Sequence, residues 1–230
     1  MGHHILPGNP PVELILRRSP RARRISLRVS RLDGRVTLTL PRGVREGEAL
    51  DFARTKESWL RAQLATQPDS IPVSEGVRLP VEGQPRLILR GAGKRIVLDA
   101  QSITVPGPPE HMPTRLQAWL KTLARERLAQ ASDRHAQALG RPYARLSLRD
   151  TRSRWGSCTS AGGLMYSWRL VMAPPVVLDY VAAHEVAHLA EMNHSPAFWA
   201  VVARLCPGYH APRQWLRQHG TDLHRYRFDG

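Results

Sequence analysis

Two histidines four residues apart, with a glutamate directly after the first, form the segment best suited to chemistry: His184-Glu185-Val186-Ala187-His188. On a helix, residues four apart lie one turn apart on the same face, so both imidazoles can reach one metal ion. Glu185 falls at the edge of that face, where it can take a proton from a water acidified by the metal without itself being a ligand. Three imidazoles and no thiolate suit Zn2+, and a catalytic zinc keeps one position open. The third ligand is expected at His194, just past the helix end, where Asn193 can turn the chain back. Glu191, three residues after His188, is the rival. The implied reaction class is metal-assisted hydrolysis with Glu185 as general base. Cys158 is a poor nucleophile candidate, since the nearby base belongs to a metal mechanism.

The spacing predicts the elements that hold these residues. Pro174-Pro175 opens a helix running to about Glu191, with Leu178, Val181, Val186 and Leu189 as its apolar side. Ser195-Pro196 starts another, carrying Phe198, Trp199, Val202 and Leu205 and ending before Pro207-Gly208. A short last helix spans Pro212 to Gln218, and Tyr209, His210 and Arg213 near its start are candidates for an oxyanion contact. Upstream, Leu146 and Leu148 mark one strand, and Leu164 to Leu170 another after a Gly162-Gly163 turn. A long helix covers about Thr114 to Leu139. The segment from Pro106 to Pro113 reads as a linker.

The first hundred residues read mainly as β-structure. Arg24 to Ser30 alternates, with Ile25, Leu27 and Val29 on one face, and alternation resumes at Val36, Leu38 and Leu40. Asp33-Gly34 between them signals a hairpin. Glu46 to Leu64 reads as a helix, and Val77–Val81, Arg86–Leu89, Arg95–Leu98 and Ile103–Val105 as further strands.

The chain has 230 residues and a net charge of +15, from 34 basic and 19 acidic side chains. Residues 1–70 carry 13 basic and 7 acidic groups, and residues 121–230 carry 15 and 8. The densest stretch runs from Arg17 to Arg35. Such a balance favours anionic partners, nucleotide or nucleic acid among them, although alternation also places arginines on an ordinary solvated strand face. Arg24, Arg28, Arg31 and Arg35 are the hairpin arginines in question. No aromatic residues interleave with them as a single-strand stacking platform requires. Cys158 and Cys206 make no disulfide framework. No run is apolar and long enough to span a membrane, and no export signal is evident, so a cytoplasmic protein is expected. His3 and His4 are given no role.

Several motifs together resemble the YgjP-like metallopeptidase family, a former domain of unknown function related to the SprT-like and minigluzincin zinc proteases. They are Arg154-Trp155-Gly156-Ser157-Cys158, Trp168-Arg169-Leu170, Pro174-Pro175, Asp179-Tyr180-Val181, His184-Glu185 to His188-Leu189, and Asn193-His194-Ser195 with Phe198-Trp199. The match is dense over about residues 145–220 and looser over the N-terminal hairpin and the Trp59 helix. Ser167 stands where the family tends to have Asn. The resemblance implies an α+β fold: an N-terminal β-hairpin-rich region with one helix, residues 1–110, then a compact zincin-like domain of the minigluzincin type, residues 111–230, with the metal motif on a helix. It implies zinc on His184, His188 and His194, catalysis by Glu185, and a peptide or protein substrate. In zincins an edge strand flanks the cleft, which would let the Arg154–Cys158 segment line the site, with Arg154 and Trp155 as substrate contacts. Two other readings remain: a metal-dependent hydrolase of nucleotides or other phosphate compounds, and a basic nucleic-acid-associated protein with DNA-dependent or no protease activity.

Overall fold

The computed structural model describes residues 2–30, 34–65 and 69–229. It divides into two compact units, residues 1–69 and 70–230, each with its own apolar core. Among the described residues the architecture is mixed α and β, with six α-helices and four small sheets.

The first unit is a four-stranded sheet under two helices. Strands β1 (Gly2–Leu6), β2 (Val12–Arg18), β3 (Ser26–Val29) and β4 (Val36–Leu40) lie in the order β1-β2-β4-β3. Val12, Leu14 and Leu16 of β2 alternate with outward Glu13, Ile15 and Arg17, and Val36, Leu38 and Leu40 of β4 face the same core. The expected hairpin is present as an antiparallel β3–β4 pair, closed by Ser30 N–H donating to the Arg35 carbonyl at 2.9 Å. Arg31 and Asp33 lie outside the described residues. Arg28, on β3, is exposed and pairs across to Thr37. Strands β1 and β2 were not foreseen; β2 runs parallel to β4, so its partner is distant in sequence. The expected helix from Glu46 to Leu64 is two, α1 (Glu46–Thr55) and α2 (Glu57–Ala65), broken at Lys56. Ala49, Ala53 and Leu60 seat them on the sheet.

The second unit is built around two helices. Helix α3 (Met112–Leu139), about 42 Å long at 1.5 Å per residue, packs along α4 (Pro175–Ala187). Asp179 of α4 ties them, accepting from Arg134 Nη2 at 2.9 Å and from His135 Nε2 at 3.0 Å. Beyond its first turn, where Pro175 and Val176 are exposed, helix α4 has no solvated face to speak of: Val177, Leu178, Tyr180, Val181, Ala182, Ala183, Val186 and Ala187 are all buried. The one apolar stripe expected from sequence is therefore a helix buried all round, as an apolar helix at the centre of a unit must be. It is also shorter than foreseen, ending at Ala187 rather than near Glu191.

Three sheets surround this pair. Strands β6 (Arg78–Val81), β7 (Gln84–Gly91), β8 (Val97–Leu98) and β9 (Ser102–Pro106) form the order β6-β7-β9-β8. Leu79, Val81, Ile88, Ile103 and Val105 share one core with Met112, Leu116 and Leu120 of α3. The compact unit thus begins at residue 70, whereas the sequence boundary was drawn at 110/111 on the Pro-Gly-Pro-Pro segment; burial of these strands against α3 joins what the prolines punctuate. The β6–β7 turn, Glu82-Gly83, has positive φ at both residues (51° and 77°), a tight primed-type hairpin. It docks on the approach to α4: Glu82 N–H donates to the Val171 carbonyl at 2.7 Å, and a Cβ on Gly83 would meet Pro174 Cα at 2.8 Å.

Strands β10 (Arg145–Arg149), β11 (Gly156–Cys158) and β12 (Gly163–Ser167) form a second sheet in the order β10-β12-β11. Strand β12 stops at Ser167, and Trp168–Met172 is a 3-10 turn rather than the continued strand expected to Leu170. Helices α5 (Pro196–Leu205) and α6 (His210–His219) follow α4, with Ser195 Oγ capping α5 by accepting from Phe198 N–H. Strand β5 (Ile71–Pro72) pairs with β13 (Tyr226–Arg227), closing the last segment onto the unit.

Candidate metal centre

His184 and His188 project from the last turn of α4 and its C-cap, and His194 arrives from the two bends that lead to α5. One ring nitrogen from each gathers within 4.8 Å of the others, the grouping a single metal ion requires. His184 Nε2 and His194 Nε2 stand 3.0 Å apart. His188 Nδ1 donates to the Glu191 carbonyl at 2.9 Å, which fixes the ring and leaves Nε2 free to ligate. Glu191 thus enters through its main chain, and its carboxylate is not part of the gathered group.

Electrostatics agree with a cation there. Burial, then the charges of His188 and His194, push His184 down to about 3, and burial likewise lowers His188. His184 Nδ1 is buried with no partner among the described residues. Three imidazole nitrogens brought this close together fit a bound divalent cation well.

Phe198 is the floor of this cluster. Fully buried, its ring lies 4.4 Å from His188, 4.8 Å from His194 and 4.9 Å from His184. Trp199 adds a wall, 5.7 Å from His184 and 6.0 Å from His194. Both were read in the sequence as part of α5 and of the motifs that carry the resemblance, with no contact to the histidines foreseen. Tyr180, one turn before His184 on α4, meets it edge-on at 5.9 Å. Burial pushes the Tyr180 hydroxyl up to about 12, and the positive charges of Arg213 and Arg217 pull the other way.

Glu185 is 5% exposed, and burial raises its carboxyl to about 8, with Arg154 opposing. Its side chain fits because Gly156, at the start of β11, has none: a Cβ there would lie 2.5 Å from Oε1. In the sequence this glycine stood only as part of the Arg154–Cys158 segment expected to line the site. Strand β11 is the edge of its sheet and packs on α4. Cys158 on the same strand is pushed up to about 11 by burial and by Glu185, a thiol poorly suited to attack.

The remaining expected contacts separate into two groups. Trp155 stays away from the histidines, tilted on His224 at 5.2 Å and set against Gly220. Tyr209 is buried in a ring stack, 5.4 Å from Trp199 and 4.0 Å from His210, which is exposed. Arg213 lies over Trp199 at 4.4 Å. Beside His188 opens a depression of about 550 Å³, lined by Pro142, Tyr143, Ala161, Leu189 and Met192 among others.

The loop before β11 is anchored from behind. Arg169 holds Asp150 through Nε and Nη2 at 2.7 and 3.1 Å, and its Nη1 donates to the carbonyls of Leu223 and Tyr226 at 2.9 and 3.1 Å. Its guanidinium also stacks over Trp168 at 4.7 Å.

No helix among the described residues is long and apolar enough to cross a membrane. The family model of the YgjP-like metallopeptidase domain matches residues 23–219. No curated protein and no solved structure matches the chain.

Proposed function

Since this chain belongs to the YgjP-like metallopeptidase family, we propose that it hydrolyses peptide bonds with one zinc ion on His184, His188 and His194 and with Glu185 as general base, in a zincin-like catalytic domain. The observation that carries the reading is the gathering of three imidazoles at the end of the helix that carries the buried Glu185 carboxyl. Bound zinc supplies Lewis-acid activation of a water and of the scissile carbonyl. Glu185 takes the proton of the attacking water and later passes it to the leaving amine. Its base form needs positive charge nearby, which Arg154 and the site's cation provide. Phe198 and Gly156 hold the reacting groups in one geometry, and the pocket beside His188 offers room for a substrate side chain. The free edge of β11 offers main-chain groups to an extended peptide. The readings as a phosphate-compound hydrolase or a nucleic-acid-associated protein draw no support from the comparisons.

The test is Glu185→Gln. The amide keeps the shape and cannot accept a proton, so peptide turnover should fall by about 10²–10⁴-fold with metal content unchanged. Near-parental turnover would remove Glu185 as the base.

A further inference from the structure

Three arginines stand around the histidine cluster, and none of them makes a salt bridge among the described residues. Arg154 immediately precedes Trp155 and Gly156, and Gly156 abuts the Glu185 carboxylate. Arg213 lies over Trp199, itself in contact with His184 and His194. Arg217 follows four residues later on α6, one turn along the same face. None of these three guanidinium groups has an ion pair or hydrogen bond among the described residues. Four acids elsewhere in the unit are engaged: Asp179 by Arg134 and His135, Asp150 by Arg169, Glu82 by Arg127, Asp229 by Arg227. At the site itself, Glu185 is buried, and Glu191 follows four residues after the end of α4.

Clustered, unpaired guanidinium groups raise the local potential and bind carboxylates in a planar, two-pronged fashion. We propose that the substrate is an acidic peptide, whose Asp or Glu side chains on either side of the scissile bond are held by Arg154 on one flank and by Arg213 and Arg217 on the other. This rests on the peptidase reading above. A peptide is the occupant favoured over a phosphate compound because β11 offers an unpaired strand edge beside Glu185, which an extended main chain uses and a nucleotide does not. Arg213 is pre-set for the task, since stacking on Trp199 restricts its side chain before any substrate arrives.

The experiment compares peptides of equal length carrying Glu, Gln or Lys on both sides of one cleavable bond. Zinc-loaded protein is assayed for KM and kcat, and fluorescent forms of the same peptides are titrated onto the zinc-loaded Glu185→Gln protein. The Glu peptide should show a KM and a dissociation constant about tenfold or more below the Gln peptide, a gap that narrows with added salt. Arg213→Gln and Arg217→Gln combined should narrow that gap mainly through KM, and adding Arg154→Gln should close the remaining gap in the dissociation constant measured on the Glu185→Gln protein. Arg213→Lys, which keeps charge and fold, should retain most of it, and Arg213→Glu with Arg217→Glu should shift preference to the Lys peptide. Equal affinity for all three peptides with turnover intact overturns the acidic preference and leaves the peptidase reading standing. Selective binding of the Glu peptide without any turnover supports the preference and removes the peptidase reading. Tighter binding of inorganic triphosphate or a short single-stranded DNA than of the Glu peptide, or no peptide binding at all, overturns the proposal.

Discussion

Gly156 backs directly onto Glu185: a single added carbon would stand 2.5 Å from Oε1 and 2.6 Å from Cγ. The missing side chain on one strand makes the seat for the carboxylate on the neighbouring helix. Gly156→Ala must push either β11 or Glu185 aside. Peptide turnover should drop about 10²-fold, the scale expected for roughly 1 Å of misplacement, with zinc content close to parental. Unchanged kcat in this variant would mean that the strand gives way at no cost.

Metal binding distinguishes His194 from its rival. Elemental analysis should find one zinc per chain. His194→Ala should weaken zinc binding by at least about 10²-fold, since a ligand matters more than the groups around it, whereas Glu191→Gln should leave affinity nearly intact because only the Glu191 main-chain oxygen meets His188. The reverse result would put the Glu191 carboxylate on the metal.

Phe198→Ala removes a ring that touches all three imidazoles. Loss of a fully buried phenyl group should cost about 3–5 kcal/mol of stability. Weaker zinc affinity should accompany it, because the rings lose the floor that sets their angles. Stability loss with zinc affinity unaltered would assign Phe198 to the core alone.

Acid should weaken the fold through His224. Burial, then Arg169, lower it to about 4 from an ordinary 6.5, with Asp150 opposing. The folded state therefore binds this proton less readily than the unfolded chain. The associated stability is present above pH 6.5 and is lost as pH falls from about 6.5 through about 4, with an upper bound of about 3 kcal/mol. His224→Gln should flatten that part of the curve in denaturant titrations followed by tryptophan fluorescence. A slope identical to the parent's would exclude His224 as its source.

Arg169→Met should separate the segment 223–226 from the loop that carries Asp150. Loss of a largely buried guanidinium leaves two carbonyls and part of a carboxylate without a donor, at a cost of about 2–4 kcal/mol given that Asp150 is partly exposed. Faster proteolysis near the C-terminal segment would report the detachment; an unchanged melting temperature would contradict it.

His184 and His188 were readable because neighbours on one helix are local: their four-residue spacing carries the geometry. The helices around them were readable from proline, serine and glycine signals for the same reason. What lay beyond reading was decided by partners far along the chain. Nothing near Trp155 hints that its ring meets Gly220 and His224. Strand β11 has only three residues, too few for a periodic pattern, and its edge position depends on β12 pairing also with β10. Phe198 and Trp199 sit four and five residues after His194, so their lean toward the metal is visible only once α5 is folded back. Strands β1 and β2 escaped because glycine and two histidines open β1 and Leu14-Ile15-Leu16 breaks the alternation of β2, while pairing of β1 with β2 and parallel pairing of β2 with β4 hold them in place.

The clamp of Arg169 on the Leu223 and Tyr226 carbonyls also has a bearing on the order in which the polypeptide is made. A ribosome releases the metal-motif helix well before residues 220–228, and domains assemble as their parts emerge. Until that late segment is delivered, Trp155 has no Gly220 or His224 to rest on, and the strand that seats Glu185 lacks its backing. Until then a nascent chain holds the Glu185 carboxyl in a cradle that is still half-finished.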